Sequence, residues 1–144
     1  MSAAIFSAVG RVFNVESFLV DSTFREGATY WKVGEGSHTD SGFQIVVSED
    51  EDVKKQVAAC VLFIRQNLPE LKKRRDRVGL ESIDFRVAYF WEDGVAALAY
   101  TLPEELHLML AQARATLTFC VYPCSEEEPN QIPTDNSGAP PLRV

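Results

Sequence analysis

Apolar side chains at Val53, Val57, Cys60, Val61, Ile64, Leu68 and Leu71 recur at steps of three and four. On a 3.6-residue repeat they share one face, so the spacing predicts a helix over 53–71 that buries that face. Ser48 and Glu51 stand three apart just before it, the spacing of a capping box in which hydroxyl and carboxylate each take an orphan backbone N–H. Pro69 is expected to kink or restart the helix, because proline lacks the N–H and crowds the preceding turn. The basic stretch that follows continues helically to a stop at Gly79.

On either side the pattern turns to β. Residues 11–21, rich in valine and phenylalanine, read as a strand, 29–33 as a short strand carrying Tyr30 and Trp31, and 43–47 as a third. The stretch 34–42, Gly-Glu-Gly-Ser-His-Thr-Asp-Ser-Gly, is polar and punctuated by glycine, which predicts a loop. Ile83, Phe85, Val87 and Tyr89 alternate with Asp84, Arg86 and Ala88 as a half-buried strand does. Glu92, Asp93 and Gly94 then read as a hairpin turn into a strand over 95–100.

Thr101 and Glu104 repeat the capping spacing, and Leu102, Leu106, Met109, Leu110 and Ala113 supply the stripe of a second helix. Residues 116–122 alternate again as a closing strand. From Pro123 onward large apolar residues all but vanish, so burial there is too small to offset the entropy of ordering. The expected organisation is one α+β domain over 1–122 and a flexible tail over 123–144. Hairpin-linked strands and two helices with one apolar face each imply a two-layer sandwich. Its sheet is mainly antiparallel, of about five to six strands, with both helices on one face.

Composition changes this picture in two ways. A formal charge of -7 disfavours general nucleic-acid or anionic-membrane binding, which needs clustered cations, and favours a basic protein partner. No apolar run approaches the roughly 20 residues of a membrane helix, and residues 1–10 lack the basic start of a secretory signal. A cytoplasmic setting is the expectation, and three cysteines, Cys60, Cys120 and Cys124, suit free thiols there.

Candidate chemistry is sparse. His38, Asp40 and Ser41 are a histidine, a carboxylate and a hydroxyl close in sequence, but no Gly-x-Ser-x-Gly turn presents a nucleophile. With Trp31 and Glu35 they read as a binding loop. His107 stands alone on the second helix, Cys60 lies on the apolar stripe, and the Cys120 to Cys124 spacing is neither a zinc nor a redox signature. Glycine-rich phosphate cradles are absent. Glu92 and Asp93 at an exposed tip lack the desolvation that sets an acid apart from a base. Lys72, Lys73, Arg74, Arg75 and Arg77 read as a solvated helix end whose cations satisfy its last carbonyls, and Glu49, Asp50, Glu51 and Asp52 as its acidic start.

Trp31-Lys-Val-Gly-Glu35, Ser41-Gly-Phe-Gln-Ile-Val-Val-Ser48 leading into a helix, Asp84-Phe-Arg-Val, Leu102-Pro-Glu-Glu-Leu106 and Phe119-Cys-Val-Tyr-Pro123 together resemble a group of small bacterial α+β domains of unknown function. Some similar small acidic proteins look like immunity partners of bacterial toxins. The resemblance covers residues 12–123 and rests on structural motifs, so it implies a fold and carries no catalytic residue. The expectation is a non-enzymatic protein-binding domain without cofactor or metal, of the kind that neutralises a basic toxin. Its contact residues would be Trp31, Glu35, His38, Asp40, Glu49, Asp50, Asp52, Glu92 and Asp93. The alternatives are a small-ligand domain or enzyme with a pocket near the 34–42 loop, a housekeeping role, and self-association through an exposed strand edge.

Overall fold

The helix at the centre of the chain forms, and it is longer than its apolar stripe. In the computed structural model, which describes residues 4–76, 79–94, 97 and 99–124, helix α2 runs unbroken over Val53–Arg74 with Pro69 inside it. Pro69 therefore neither ends nor restarts the helix; it lies on the exposed side, where a carbonyl left without its N–H can turn to water. The remaining elements, in order, are β1 (Ala4–Gly10), α1 (Val15–Val20), β2 (Ala28–Trp31), β3 (Ser41–Ser48), then after α2 come β4 (Ser82–Glu92), α3 (Glu104–Ala113) and β5 (Ala115–Cys124). The fold is α+β, a five-stranded open sheet of order β2-β3-β1-β4-β5 that is antiparallel except for the β4–β5 pair.

Two elements depart from the reading of the N-terminal third. The stretch expected as a strand over 11–21 holds helix α1 instead. Asn14 caps it, its side chain accepting the Ser17 N–H at 3.0 Å, and Val15, Phe18 and Leu19 form its buried face. The strand lies earlier, at β1, and it is the central strand of the sheet. Its inward positions Ala4, Phe6 and Ala8 alternate with half-buried Ile5, Ser7 and Val9. Two of the three inward residues are alanines, which blunts the hydrophobic alternation.

Both capping boxes are replaced. Ser48 Oγ accepts from Asp50 N at 3.1 Å, Asp50 Oδ1 from Asp52 N at 2.8 Å, and Asp52, the true cap of α2, from Lys54 N at 2.8 Å. Each step is a local turn in which a short side chain takes the N–H two residues on. Pro103 stands at the cap of helix α3, and no side chain caps it. Nor does the hairpin strand expected after Glu92 form among the described residues. Val95, Ala96 and Leu98 lie outside the described residues, while Ala97, Ala99 and Tyr100 belong to no strand. The chain instead crosses through α3 and returns as β5, parallel to β4. That strand reaches Cys124, two residues past the expected domain limit; residues 125–144, most of the expected tail, lie outside the described ones.

All three helices lie on one sheet face. Phe6, Phe43 and Phe85 point from neighbouring strands toward them and meet Phe13, Phe18, Phe24 and Phe63 in one aromatic cluster. Phe6 alone lies within 5.8 Å, ring centre to ring centre, of Phe24, Phe43, Phe63 and Phe85. Such offset and tilted pairs add to the burial energy of the rings themselves. The core also holds a fully buried polar side chain, Gln56, on the sheet-facing side of α2.

Candidate functional site

Strand β3 spans eight residues, roughly 25 Å, and divides the expected contact residues into two groups at opposite ends. Trp31, Glu35, His38 and Asp40 lie before its start. Glu49, Asp50 and Asp52 lie past its end, where Ser48 and Val87 both pair with Ala4, so Glu92 and Asp93 at the tip of parallel-running β4 are at that same end. The structure therefore places five of the residues toward one end of the sheet and the other four at the opposite end.

The loop group is ordered by its own contacts. The Trp31 indole stacks on His38 with ring centres 5.1 Å apart and donates from Nε1 to Asp40 Oδ1 at 3.2 Å. Glu35 accepts the Lys32 N–H at 2.9 Å, and Ser41 Oγ accepts the Val33 N–H at 2.9 Å. Gly42 makes this possible, because a Cβ there would sit 2.7 Å from the Trp31 ring and 2.6 Å from the Ala8 carbonyl. His38, Asp40 and Ser41 are thus spent on holding the turn rather than converging on a reacting atom. Tyr30 faces the other side of the sheet and lines a groove of about 470 Å3 with Glu16, Leu19, Val20, Arg25 and Ala28. A second groove of about 350 Å3 beside it is lined by Phe13, Asn14, Val15, Glu16, Lys32, Val33 and Ser41, with Lys32 paired to Glu16 at 2.6 Å. That pairing raises the Lys32 pKa above its usual value, chiefly through the Glu16 hydrogen bond.

The other end has a different character. Beyond Val87, the last β4 residue paired with the described part of β1, β4 and β5 continue together from Ala88 with Cys120 to Glu92 with Cys124, a two-stranded ribbon among the described residues. Tyr89, Trp91, Phe119 and Val121 point to its helix-bearing side and line an apolar groove of about 250 Å3. Phe90 and Tyr122 stack on the reverse side with ring centres 5.8 Å apart. Phe119 is 42% exposed, Val121 59% and Tyr122 45%. Scattered exposed apolar side chains are ordinary, whereas a contiguous aromatic set is a mark of a contact surface.

Gln56 ties the acidic start of α2 to the root of this ribbon. Its amide donates to Ala88 O at 2.7 Å and accepts from Ala88 N at 2.8 Å, and it also donates to Glu51 O at 3.3 Å. The acidic residues Glu49, Asp50 and Asp52 consequently border the ribbon at its root, and Glu92 and Asp93 border it at its tip. Asp50 is held below the usual carboxylate pKa, first by the Asp52 N–H and further by Lys55, whose ammonium lies 3.3 Å away.

Lys72 and Lys73 are exposed at the end of α2 as expected, whereas Arg74 and Arg75 do other work. Arg74 donates to the carbonyls of Phe18 and Asp21, both at 2.9 Å, closing the end of α1. Arg75 donates to Ala113 O at 2.5 Å and Arg114 O at 2.9 Å, closing the end of α3. The two arginines thus cap neighbouring helices rather than their own. Glu70 Oε1 lies 2.5 Å from Arg74 Nε, off the N–H direction, so that contact is an ion pair and not a hydrogen bond. Arg77 lies outside the described residues.

The aromatic ribbon is not legible locally, because Tyr89, Phe119 and Val121 read as ordinary strand alternation and Trp91 reads only as a pocket residue beside Trp31 and His38, which the structure puts at the opposite end of the sheet. The signal available was the continued alternation past Val87 with unusually large side chains. His107 is exposed on α3, and Cys60 and Cys120 are free thiols. Among the described residues, no group of three histidines, cysteines or carboxylates converges as a metal site would need, and no helix is long and apolar enough to cross a membrane. Comparisons with family models, curated proteins and solved structures find no match to this chain.

Proposed function

We propose that this chain is a non-enzymatic protein-binding domain that presents the end of its β4–β5 ribbon to a basic partner. The observation that carries the reading is the apolar groove of Tyr89, Trp91, Phe119 and Val121, on a ribbon that has Glu49, Asp50 and Asp52 near its root and Glu92 and Asp93 at its tip. Aromatic anchors in a groove with a charged rim are the usual make-up of a binding hot spot, the anchors supplying affinity and the rim steering the encounter. A net charge of -7 adds a long-range attraction for a cationic surface. The specific form we favour is an immunity-type inhibitor that covers the basic active site of a cognate toxin in the cytoplasm.

The test is to express the protein encoded beside this one and measure binding by calorimetry at increasing salt. Binding that weakens with salt and is lost in Trp91→Ala supports the reading; absence of binding, or binding indifferent to Trp91 and to Glu92→Lys with Asp93→Lys, contradicts it.

A second reading, a small-ligand domain, rests on the two adjoining grooves between α1 and β2, of a size that ligand sites have. It differs in its readout. A bound small molecule would protect α1 and β2 from hydrogen exchange and leave the ribbon unchanged.

A further inference from the structure

The two edges of the sheet are unlike. β2 has four residues and is flanked by Gly27 and by Lys32 with its Glu16 partner. Short edges with adjacent charge are protected against pairing with another chain. β5 has ten residues, Ala-Thr-Leu-Thr-Phe-Cys-Val-Tyr-Pro-Cys, without a single charge. Its one proline stands next to last, so it blocks only the end of the strand. Among the described residues β5 pairs on one side only, with β4. Thr116, Thr118, Phe119, Val121 and Tyr122 along it are all exposed. A long, uncharged edge of β-branched and aromatic residues is a template for another strand.

We propose that the strand it takes is β5 of a second copy, in an antiparallel pair that joins the two sheets into one. Three features favour this occupant. Across the two-fold axis an uncharged strand meets an uncharged strand, so the acidic load of each copy stays out of the contact. An axis perpendicular to the sheet keeps like faces together, so Leu117, Phe119 and Val121 of one copy lie along the same set of the other, and the helices of both copies cover one face. Finally, the start of β5 carries Arg75 and Arg114, while its far end runs beside Glu92 and Asp93. Antiparallel pairing sets the basic end of each copy against the acidic end of the other. The pair uses the backbone edge of β5, and it brings the two aromatic grooves side by side across the axis. It stands independently of the partner proposed above, since it concerns the purified chain alone.

The test is sedimentation of the full-length protein over a wide concentration range, with hydrogen exchange of β5 measured at the two extremes. The expected result is a dimer that dissociates on dilution, with amides in 115–124 losing protection as it does. Tyr122→Lys, which puts a charge on the otherwise uncharged edge, should give a monomer with an unchanged circular dichroism spectrum, and Tyr30→Lys on the opposite edge should remain dimeric. A monomer at every concentration overturns the proposal, and so does a dimer whose β5 amides exchange equally at both extremes. If Tyr122→Lys fails to fold, the exchange measurement on the unaltered protein decides.

Discussion

The side chain of Gln56 takes both backbone groups of Ala88, donating to its carbonyl at 2.7 Å and accepting its N–H at 2.8 Å. Ala88 is the first β4 residue beyond the Ala4–Val87 pair, so an amide side chain from the helix continues the ladder where the described part of β1 ends. Gln56→Leu keeps the volume and strands two buried polar groups. The expected loss is about 2–6 kcal/mol, at about 1–3 for each group left without a partner. Urea denaturation measures it, and hydrogen exchange should show the ribbon from Ala88 loosening first.

How far the sequence reveals this fold follows from the same residue. The stripe of α2 is legible because Val57, Cys60, Ile64 and Leu71 are apolar and regularly spaced, and all are buried. Gln56 is invisible to that reading, since a glutamine on a helix is ordinarily a surface residue and only the neighbouring sheet makes it a core one. The N-terminal third misleads for a related reason. Valine and phenylalanine in 11–21 favour a strand locally, but Val15, Phe18 and Leu19 fit one helical face that packs on β3, and tertiary burial outweighs the local preference. β1 escapes because alanine at Ala4 and Ala8 is enough to fill the space beneath the helices. The acidic residues were legible as a charged helix start, while their placement with Glu92 and Asp93 depends on the parallel course of β3 and β4, which no local pattern records.

Arg74 ties α2 to α1 through the carbonyls of Phe18 and Asp21. A helix of six residues has little stability of its own, so this clamp and its buried face must hold it. Arg74→Met should cost about 1–3 kcal/mol, with exchange in α1 rising before that in the sheet. Lys72→Ala, on an exposed neighbour, should change stability by less than about 0.5 kcal/mol.

Cys60 is fully buried on the α2 stripe, and desolvation of the thiolate pushes its pKa up to about 12. It should stay unreactive toward iodoacetamide in the native protein at neutral pH and react once the protein is unfolded. Mass spectrometry of native and denatured samples tests this. Labelling of native Cys60 at the rate of an exposed thiol would contradict its placement.

Asp50 has its pKa depressed in the fold, so its contribution to stability is fully present above the ordinary carboxylate range and is lost as pH falls through the folded-state value. Acid titration of the melting temperature should therefore show a flatter low-pH limb for Asp50→Asn than for the unaltered protein. At neutral pH the variant should be less stable, because the amide loses the charge that holds Lys55 and strengthens the bond to Asp52 N–H.

The central claim is that the aromatic ribbon and its acidic border, rather than the Trp31 loop, carry binding. It is tested most directly by immobilising the full chain alongside Trp91→Ala and Trp31→Ala, each checked for native circular dichroism. The protein encoded beside it is then passed over all three. Retention by the unaltered chain and by Trp31→Ala, with loss on Trp91→Ala, is the expected result; equal retention by all three, or loss only with Trp31→Ala, would contradict it.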